Sequence, residues 1–217
     1  MTDFTANPSF PNFEQQLALD ARWAMSEGSL FFEGQGRVQK TLLGITRRLN
    51  ELQVPYAVAG GMALFAHGFR RFTEDVDILV TDEGLKTLHD ALDGRGYLPL
   101  FEKSKNLRDT DTGVKIEFLI AGGFPGDGKP KPVAFPEPDR VSTPIGDVRC
   151  LNLPTLVELK LASGMTAPSR LKDLADVQEL IRMLRLPSTF GESLNPYVRA
   201  KFDELWNSVA AEMNEAE

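Results

Sequence analysis

The chain has 217 residues, a net charge of −7 and a pI near 5.0, with 42% hydrophobic and 25% charged residues. That length suits one ordinary domain, or a domain with a helical extension, and the apolar fraction is enough for a real core. The acidic balance argues against a broad electrostatic footprint on nucleic acid and leaves room only for a local basic cleft.

A single cysteine, Cys150, excludes an intrachain disulfide and fits a reducing compartment; it is expected to be an inert, partly buried thiol. The N-terminus carries no basic segment followed by an apolar run, so no secretory signal is expected. No apolar run reaches the roughly 18 residues of a membrane span. The expected location is the cytoplasm, with no membrane partner.

Residues 1–35 read as an N-terminal arm that lies on the domain, marked by Pro8, Pro11 and several Phe residues. A helix is expected from near Asn12, with Phe13, Leu17 and Ala21 on one face. Phe31 and Phe32, among Gly28, Gly34 and Gly36, read as a turn with anchoring aromatics. Val38, Leu42, Ile45, Leu49 and Leu52 then alternate spacings of four and three, the stripe of an amphipathic helix that Pro55 ends.

Tyr56 to Ala59 reads as a short apolar strand. Gly60-Gly61 is a turn into a short helix from Met62 to His67, closed by Gly68. Asp75 to Val80 is the second strand. Side chains two apart on a strand point the same way, about 7 Å apart. Asp75 and Asp77 therefore share one face, while Val76, Ile78 and Val80 share the other.

Thr81 can cap the next helix, with Asp82 and Glu83 in its first turn and Leu85, Leu88 and Leu92 buried. Tyr97 to Phe101 is expected to be an edge strand. Gly113 to Ile120 is the third key strand, in which Val114, Ile116, Phe118 and Ile120 alternate with Lys115, Glu117 and Leu119. The Gly/Pro-rich segment from Ala121 to Asp139 is expected to be a long loop, of the kind that is often functional or mobile.

Val141 to Leu153 reads as a hairpin turning at Ile145-Gly146-Asp147-Val148. Three helices follow. The first has Pro154 in its first turn and runs to about Ser163-Gly164. The second starts near Ser169, with Leu171, Leu174, Val177 (or Gln178), Ile181 and Leu184 inside. The third starts at Asn195-Pro196, with Val198, Phe202, Leu205 and Val209 inside. The tail from Glu212 to Glu217 is expected to fray.

Two aspartates on one strand face repel unless a cation compensates. A third carboxylate, Glu117, can converge with them if the strands are neighbours. Three carboxylates suit Mg²⁺, a hard cation that takes oxygen ligands and shares them with substrate phosphates. Gly60-Gly61 joins a strand to a helix N-terminus, where glycines let a phosphate approach the backbone. Arg71 and Thr73 could add charge and a hydroxyl to that site, whereas Arg70 reads as a surface residue. His67 and His89 read as ordinary histidines near turns.

The string Ala59-Gly60-Gly61 through Asp75-Val76-Asp77 resembles the polymerase-beta-like nucleotidyltransferase superfamily. Gly60 to Gly68 with Arg71-x-Thr73-x-Asp75-x-Asp77 looks most like its small prokaryotic members, including toxin-type nucleotidyltransferases of abortive-infection systems. Leu156 to Ala162 followed by Arg170 to Asp176 is similar to the helical segment after the catalytic domain of those proteins. The resemblance covers about residues 38–185.

It implies an α+β fold, a small mixed β-sheet with flanking helices followed by a C-terminal helical unit. The expected divisions are an arm at 1–35, a nucleotidyltransferase-like core at 36–153 and a helical unit at 154–217. It also implies transfer of a nucleoside monophosphate from an NTP with two Mg²⁺ ions, Mn²⁺ being an alternative. Asp75, Asp77 and Glu117 would hold the metals and carry catalysis. Gly60, Gly61, Arg71, Thr73, Lys160 and Lys172 would bind the nucleotide. Lys172, Asp173 and Asp176 either line the same cleft or form helix-surface ion pairs.

Two positions depart from the family pattern: Gly61 stands where many members have Ser, and Glu117 where Asp is usual. The acceptor could be an RNA end, a protein hydroxyl or a small molecule. The competing reading is a catalytically silent binding module, one half of a toxin–antitoxin pair. Its protein partner would sit on the Phe-rich N-terminus and the C-terminal helices.

Overall fold

The computed structural model describes residues 12–215, so the expectations resting on Pro8 and Pro11 lie outside it. Three helices come first: α1 (Phe13–Leu19), α2 (Ala21–Phe32) and α3 (Arg37–Glu51). They are followed by β1 (Tyr56–Val58), α4 (Gly60–Ala66), β2 (Asp75–Val80) and α5 (Asp82–Leu92). Next come β3 (Tyr97–Pro99), β4 (Leu107–Asp109), β5 (Lys115–Ile120) and the one-turn α6 (Pro138–Val141). The hairpin β6 (Ser142–Ile145) and β7 (Val148–Leu151) leads into α7 (Leu153–Thr166), α8 (Leu171–Leu184) and α9 (Pro196–Glu215).

The strands form one seven-stranded mixed sheet in the order β3-β4-β5-β2-β1-β7-β6. β1 is antiparallel to β2, whereas β2 runs parallel to β5 and β1 parallel to β7. The alternation along each strand divides the core in two. Val58, Val76, Ile78, Val80, Ile116 and Phe118 face one side, where they meet Phe13, Phe31, the α3 stripe and α5. Ala57, Ala59, Leu79 and Leu151 face the other, where α4 and the helices α7 to α9 cover them. The architecture is thus α+β, a mixed sheet with flanking helices and a helical C-terminal region.

Local causes are plain for most elements. The α3 stripe buries Val38, Leu42, Ile45 and Leu49, each worth about 1.5–3 kcal/mol relative to full exposure. The Thr81 side chain accepts from the Gly84 N–H at 3.0 Å and caps α5. Gly146, at φ +59, makes the β6–β7 turn. Cys150 is fully buried, and burial pushes its thiol up to about 12, so it stays protonated at neutral pH.

Several expectations are corrected. Ala21 does not continue the first helix: Asp20 interrupts it and caps α2 by accepting from the Arg22 and Trp23 N–H groups. Phe31 and Phe32 end α2 rather than mark a turn, because Gly28 is carried inside that helix, and Phe31 is buried in the first core. β4 adds a strand where the sequence shows none, since three residues carry too short an alternation to read. α7 runs on through Gly164, where a Cβ would lie 2.6 Å from Leu174 Cγ, so the glycine lets α8 pack close. Leu171 and Leu184 are exposed, since Asp173 and Asp176 take inward positions on α8. α9 reaches Glu215, and Glu212 pairs with Arg182 instead of fraying.

Among the described residues, no helix is long and apolar enough to cross a membrane.

Candidate active site

The register of two parallel strands builds the site. β2 pairs with β5 so that Asp75 lies beside Lys115 and Asp77 beside Glu117. Asp75, Asp77 and Glu117 all point to the face covered by the C-terminal helices, opposite to Val76, Ile78 and Phe118. One carboxylate oxygen from each lies within 4.8 Å of the others. Asp77 is raised to about 7: withdrawal of its carboxyl from water is the main cause, followed by the charges of Asp75 and Glu117.

Lys115 is the cation in contact with this cluster, its Nζ 2.5 Å from Glu117 Oε1 and 3.9 Å from Asp75 Oδ2. Sequence reasoning did not select it, although a period of two already places Lys115 on the face of Glu117. Three carboxylates against one ammonium leave an excess of negative charge. A set of oxygen donors with that excess fits a hard divalent cation.

The glycines have separate tasks. Gly60, at φ +54, lies directly against Asp77: a Cβ there would fall 1.7 Å from Asp77 Oδ2. Gly60→Ala is therefore expected to destabilise the fold by about 1–2 kcal/mol, read as a lower urea midpoint. The Gly60→Ala loss should be smaller in an Asp77→Ala background than in wild type, because the group the methyl would strike is gone; an equal loss in both backgrounds would refute the contact. At Gly61 a Cβ would lie 2.6 Å from Thr73 Cβ and Oγ1. The Thr73 hydroxyl in turn donates to Asp75 Oδ1 at 2.9 Å. Thr73 thus fills the space a serine at position 61 would need.

Beneath this face, α7 and α8 are joined by a buried ion network. Lys160 Nζ reaches Asp173 Oδ1 at 3.0 Å and Asp176 Oδ2 at 2.7 Å, and all three residues are buried. Ser163 Oγ and Arg170 Nε donate to Asp173 Oδ2 at 2.7 and 2.9 Å. Burial alone would raise Asp173, but Lys160, Ser163 and Arg170 hold it below the ordinary carboxylate range. Arg71 makes a two-pronged pair with Asp176 at 2.8 and 3.0 Å. Asp173 and Asp176 are thus not partners in helix-surface ion pairs.

A cleft of about 300 Å³ lies between the sheet and α7. Asp77, Lys105, Glu117, Lys160, Ser163, Ser169, Arg170 and Asp173, with the Gly60 backbone, form its polar lining. Leu119, Phe124, Pro125, Phe135, Leu151 and Leu156 form its apolar lining. The structure does not bring Arg71 or Lys172 to this lining: Arg71 is engaged behind it by Asp176, and Lys172 is exposed on the outer side of α8. Arg170 and Ser163 were missed, although Ser163 stands three residues from Lys160 on one helix face. His67 Nε2 bonds the Leu151 carbonyl at 2.8 Å, and Arg70 lies exposed over the Phe65 ring.

No family model and no curated protein matches the chain. Among solved structures it is similar to JHP933 from Helicobacter pylori, at 14% identity over 82% of this chain and 93% of that one, with a TM-score of 0.46. It is also similar to the antibiotic-resistance factor ANT(2'')-Ia, at 14% identity over 82% and 96%, with a TM-score of 0.43. A structure of ANT(2'')-Ia in complex with adenylyl-2''-tobramycin matches at 15% identity over 81% and 98%, with a TM-score of 0.43.

Proposed function

We propose that this protein transfers a nucleoside monophosphate from an NTP to a hydroxyl acceptor, releasing pyrophosphate, in the cleft between the sheet and α7. The observation that carries this reading is the convergence of Asp75, Asp77 and Glu117 within 4.8 Å, with Asp77 and Glu117 lining that cleft. The resemblance of the Gly60 to Asp77 string to the polymerase-beta-like nucleotidyltransferases supports it.

Asp75, Asp77 and Glu117 would hold Mg²⁺, with Mn²⁺ as a substitute and two ions as the number the resemblance implies. Bound there, the metal supplies charge neutralisation at the phosphoryl group and acidifies the attacking hydroxyl. The chain's own contribution is positioning and electrostatics. Thr73 orients Asp75 through its hydroxyl. Gly60 keeps the wall beside Asp77 free of side-chain atoms. Lys160 spends two of its three N–H donors on Asp173 and Asp176, which leaves one for a phosphate oxygen. Arg170, half exposed beside it, offers a second cationic contact. Arg71 acts behind the cleft by fixing Asp176, and Lys172 has no part in it.

Thermal melts with Mg²⁺, with each NTP and with both together test binding. The expected result is a rise in Tm that needs both components. Mass spectrometry of RNA, protein and small-molecule acceptors incubated with mixed NTPs then tests transfer, with an added mass of one nucleoside monophosphate as the expected product. Absence of any NTP binding in the presence of Mg²⁺ or Mn²⁺ would overturn the reading.

A further inference from the structure

The Gly/Pro-rich segment after β5 has no role in the site described so far, yet it is held in place. Its ends are pinned by a small ladder. The Ala121 N–H donates to the Val80 carbonyl at 2.9 Å, the Gly122 N–H to that of Phe135 at 2.8 Å, and the Phe135 N–H to that of Gly123 at 2.8 Å. The Lys131 side chain, 5% exposed, reaches back to the Pro125 carbonyl, the Asp127 carboxylate and the Thr166 hydroxyl. Asn195 Nδ2 donates to the Pro132 carbonyl at 3.2 Å, and Val133 is buried in the second core. Gly126, at φ +73, lies so close to α7 that a Cβ would fall 2.2 Å from Thr166 Oγ1 and 2.8 Å from the Ser163 carbonyl.

These anchors make the segment a fixed wall and not a lid. What it presents to the cleft is aromatic: Phe124 and Phe135 both line it. Phe135 packs against the second core, whereas Phe124 belongs to neither core and stays half-buried. An apolar ring outside both cores, on a braced backbone, contributes little to the fold. It is well placed for a ligand with a flat apolar face. The same cleft is lined by Lys105, Lys160 and Arg170 beside Asp77 and Glu117, so with the metal those carboxylates would hold, the complementary ligand joins a polyanion to a planar ring. Among the substrates of the proposed transfer, the NTP has that chemistry; the acceptor hydroxyl requires no ring.

We propose that residues 121–137 form the nucleobase subsite and that Phe124 is its stacking platform. This rests on the reading of the cleft as an NTP site. Stacking on one ring tolerates any base, so all four NTPs should bind, purines more tightly through their larger face. Loss of the ring should weaken NTP binding about 5- to 100-fold.

The test is calorimetry on the full chain without acceptor, using Mg-ATP, Mg-GTP and Mg-tripolyphosphate against wild type, Phe124→Ala and Phe124→Trp. Phe124→Ala is expected to lose NTP affinity by that factor and to leave tripolyphosphate affinity unchanged. Phe124→Trp should keep NTP affinity, and its added fluorescence over wild type should be quenched on binding. Unchanged NTP affinity in Phe124→Ala overturns the proposal. So does an equal loss of both ligands, which would mark a collapsed wall. If wild type binds tripolyphosphate as tightly as NTP, the subsite falls and the transfer reading stands. If wild type binds neither, both fall.

Discussion

Asp77→Asn is expected to lower nucleotide transfer at least 10³-fold while making the metal-free protein more stable. The first effect follows from the site. Asp77 is the central carboxylate of the three, beside Glu117 in register and in contact with Gly60. Removing its charge takes away one of the ligands that would hold the cation neutralising the phosphoryl group, and loss of one electrostatic stabiliser costs about 10²–10³ in rate. In the proposed two-ion site, where Asp77 would be shared, the cost should be larger.

The second effect has the opposite sign. Asp75, Asp77 and Glu117 are like charges within 4.8 Å, and among the described residues Lys115 is the one cation in direct contact with them. With its pKa raised to about 7, Asp77 holds a proton in the folded protein that the unfolded chain releases near pH 4. The associated stability is complete below the unfolded value and is lost as pH rises through about 7. The gain from Asn should therefore be largest above pH 7 and vanish below about pH 4. Thermal melts at pH 8 and pH 4, with and without Mg²⁺, check it. In Mg²⁺ the order should reverse, because wild type gains the ion and the variant does not. A variant that loses stability at pH 8 without metal would contradict the charge-cluster account.

Lys160→Met is expected to destabilise the fold strongly. It leaves Asp173 and Asp176, 2% and 4% exposed, without the ammonium that bridges them. Breaking a buried pair by removing one partner typically costs about 3–5 kcal/mol. Arg71 and Arg170 remain on the two carboxylates, so the lower end, about 3 kcal/mol, is the expected loss. For a chain of this size that lowers Tm by about 6–12 °C. Urea unfolding measures it. Lys160→Met with Asp173→Asn should recover part of the loss, since one buried charge is gone. A loss under about 1 kcal/mol would mean the network is solvated in solution. Because Arg71 precedes β2 and Asp176 lies on α8, this network also ties the loop before the carboxylate strand to the helical region.

Several parts of this arrangement were legible along the chain. The α3 stripe, the β6–β7 hairpin, the Thr81 cap and the alternation in β2 and β5 are local patterns, and each formed where its spacing placed it. The α1–α2 break at Asp20, the helical Gly28 and the three-residue β4 were not legible. In each case a short or ambiguous local signal was resolved by packing onto the first core.

The site shows the same division. The sequence alone determined that Asp75 and Asp77 share a face, that Glu117 faces apart from Ile116 and Phe118, and that glycines stand ahead of β2. Periodicity reports faces relative to a segment's own backbone, and those statements need nothing more. It cannot report which strand becomes a neighbour or which helix covers the face. Only the tertiary structure decided that β2 and β5 pair in the register that sets Asp77 beside Glu117. It also decided that Thr73 fills the space at Gly61, that Asp173 and Asp176 turn inward onto Lys160, and that residues 121–137 are braced against α7. Those are contacts between segments far apart in the chain, and they form only when the two cores close.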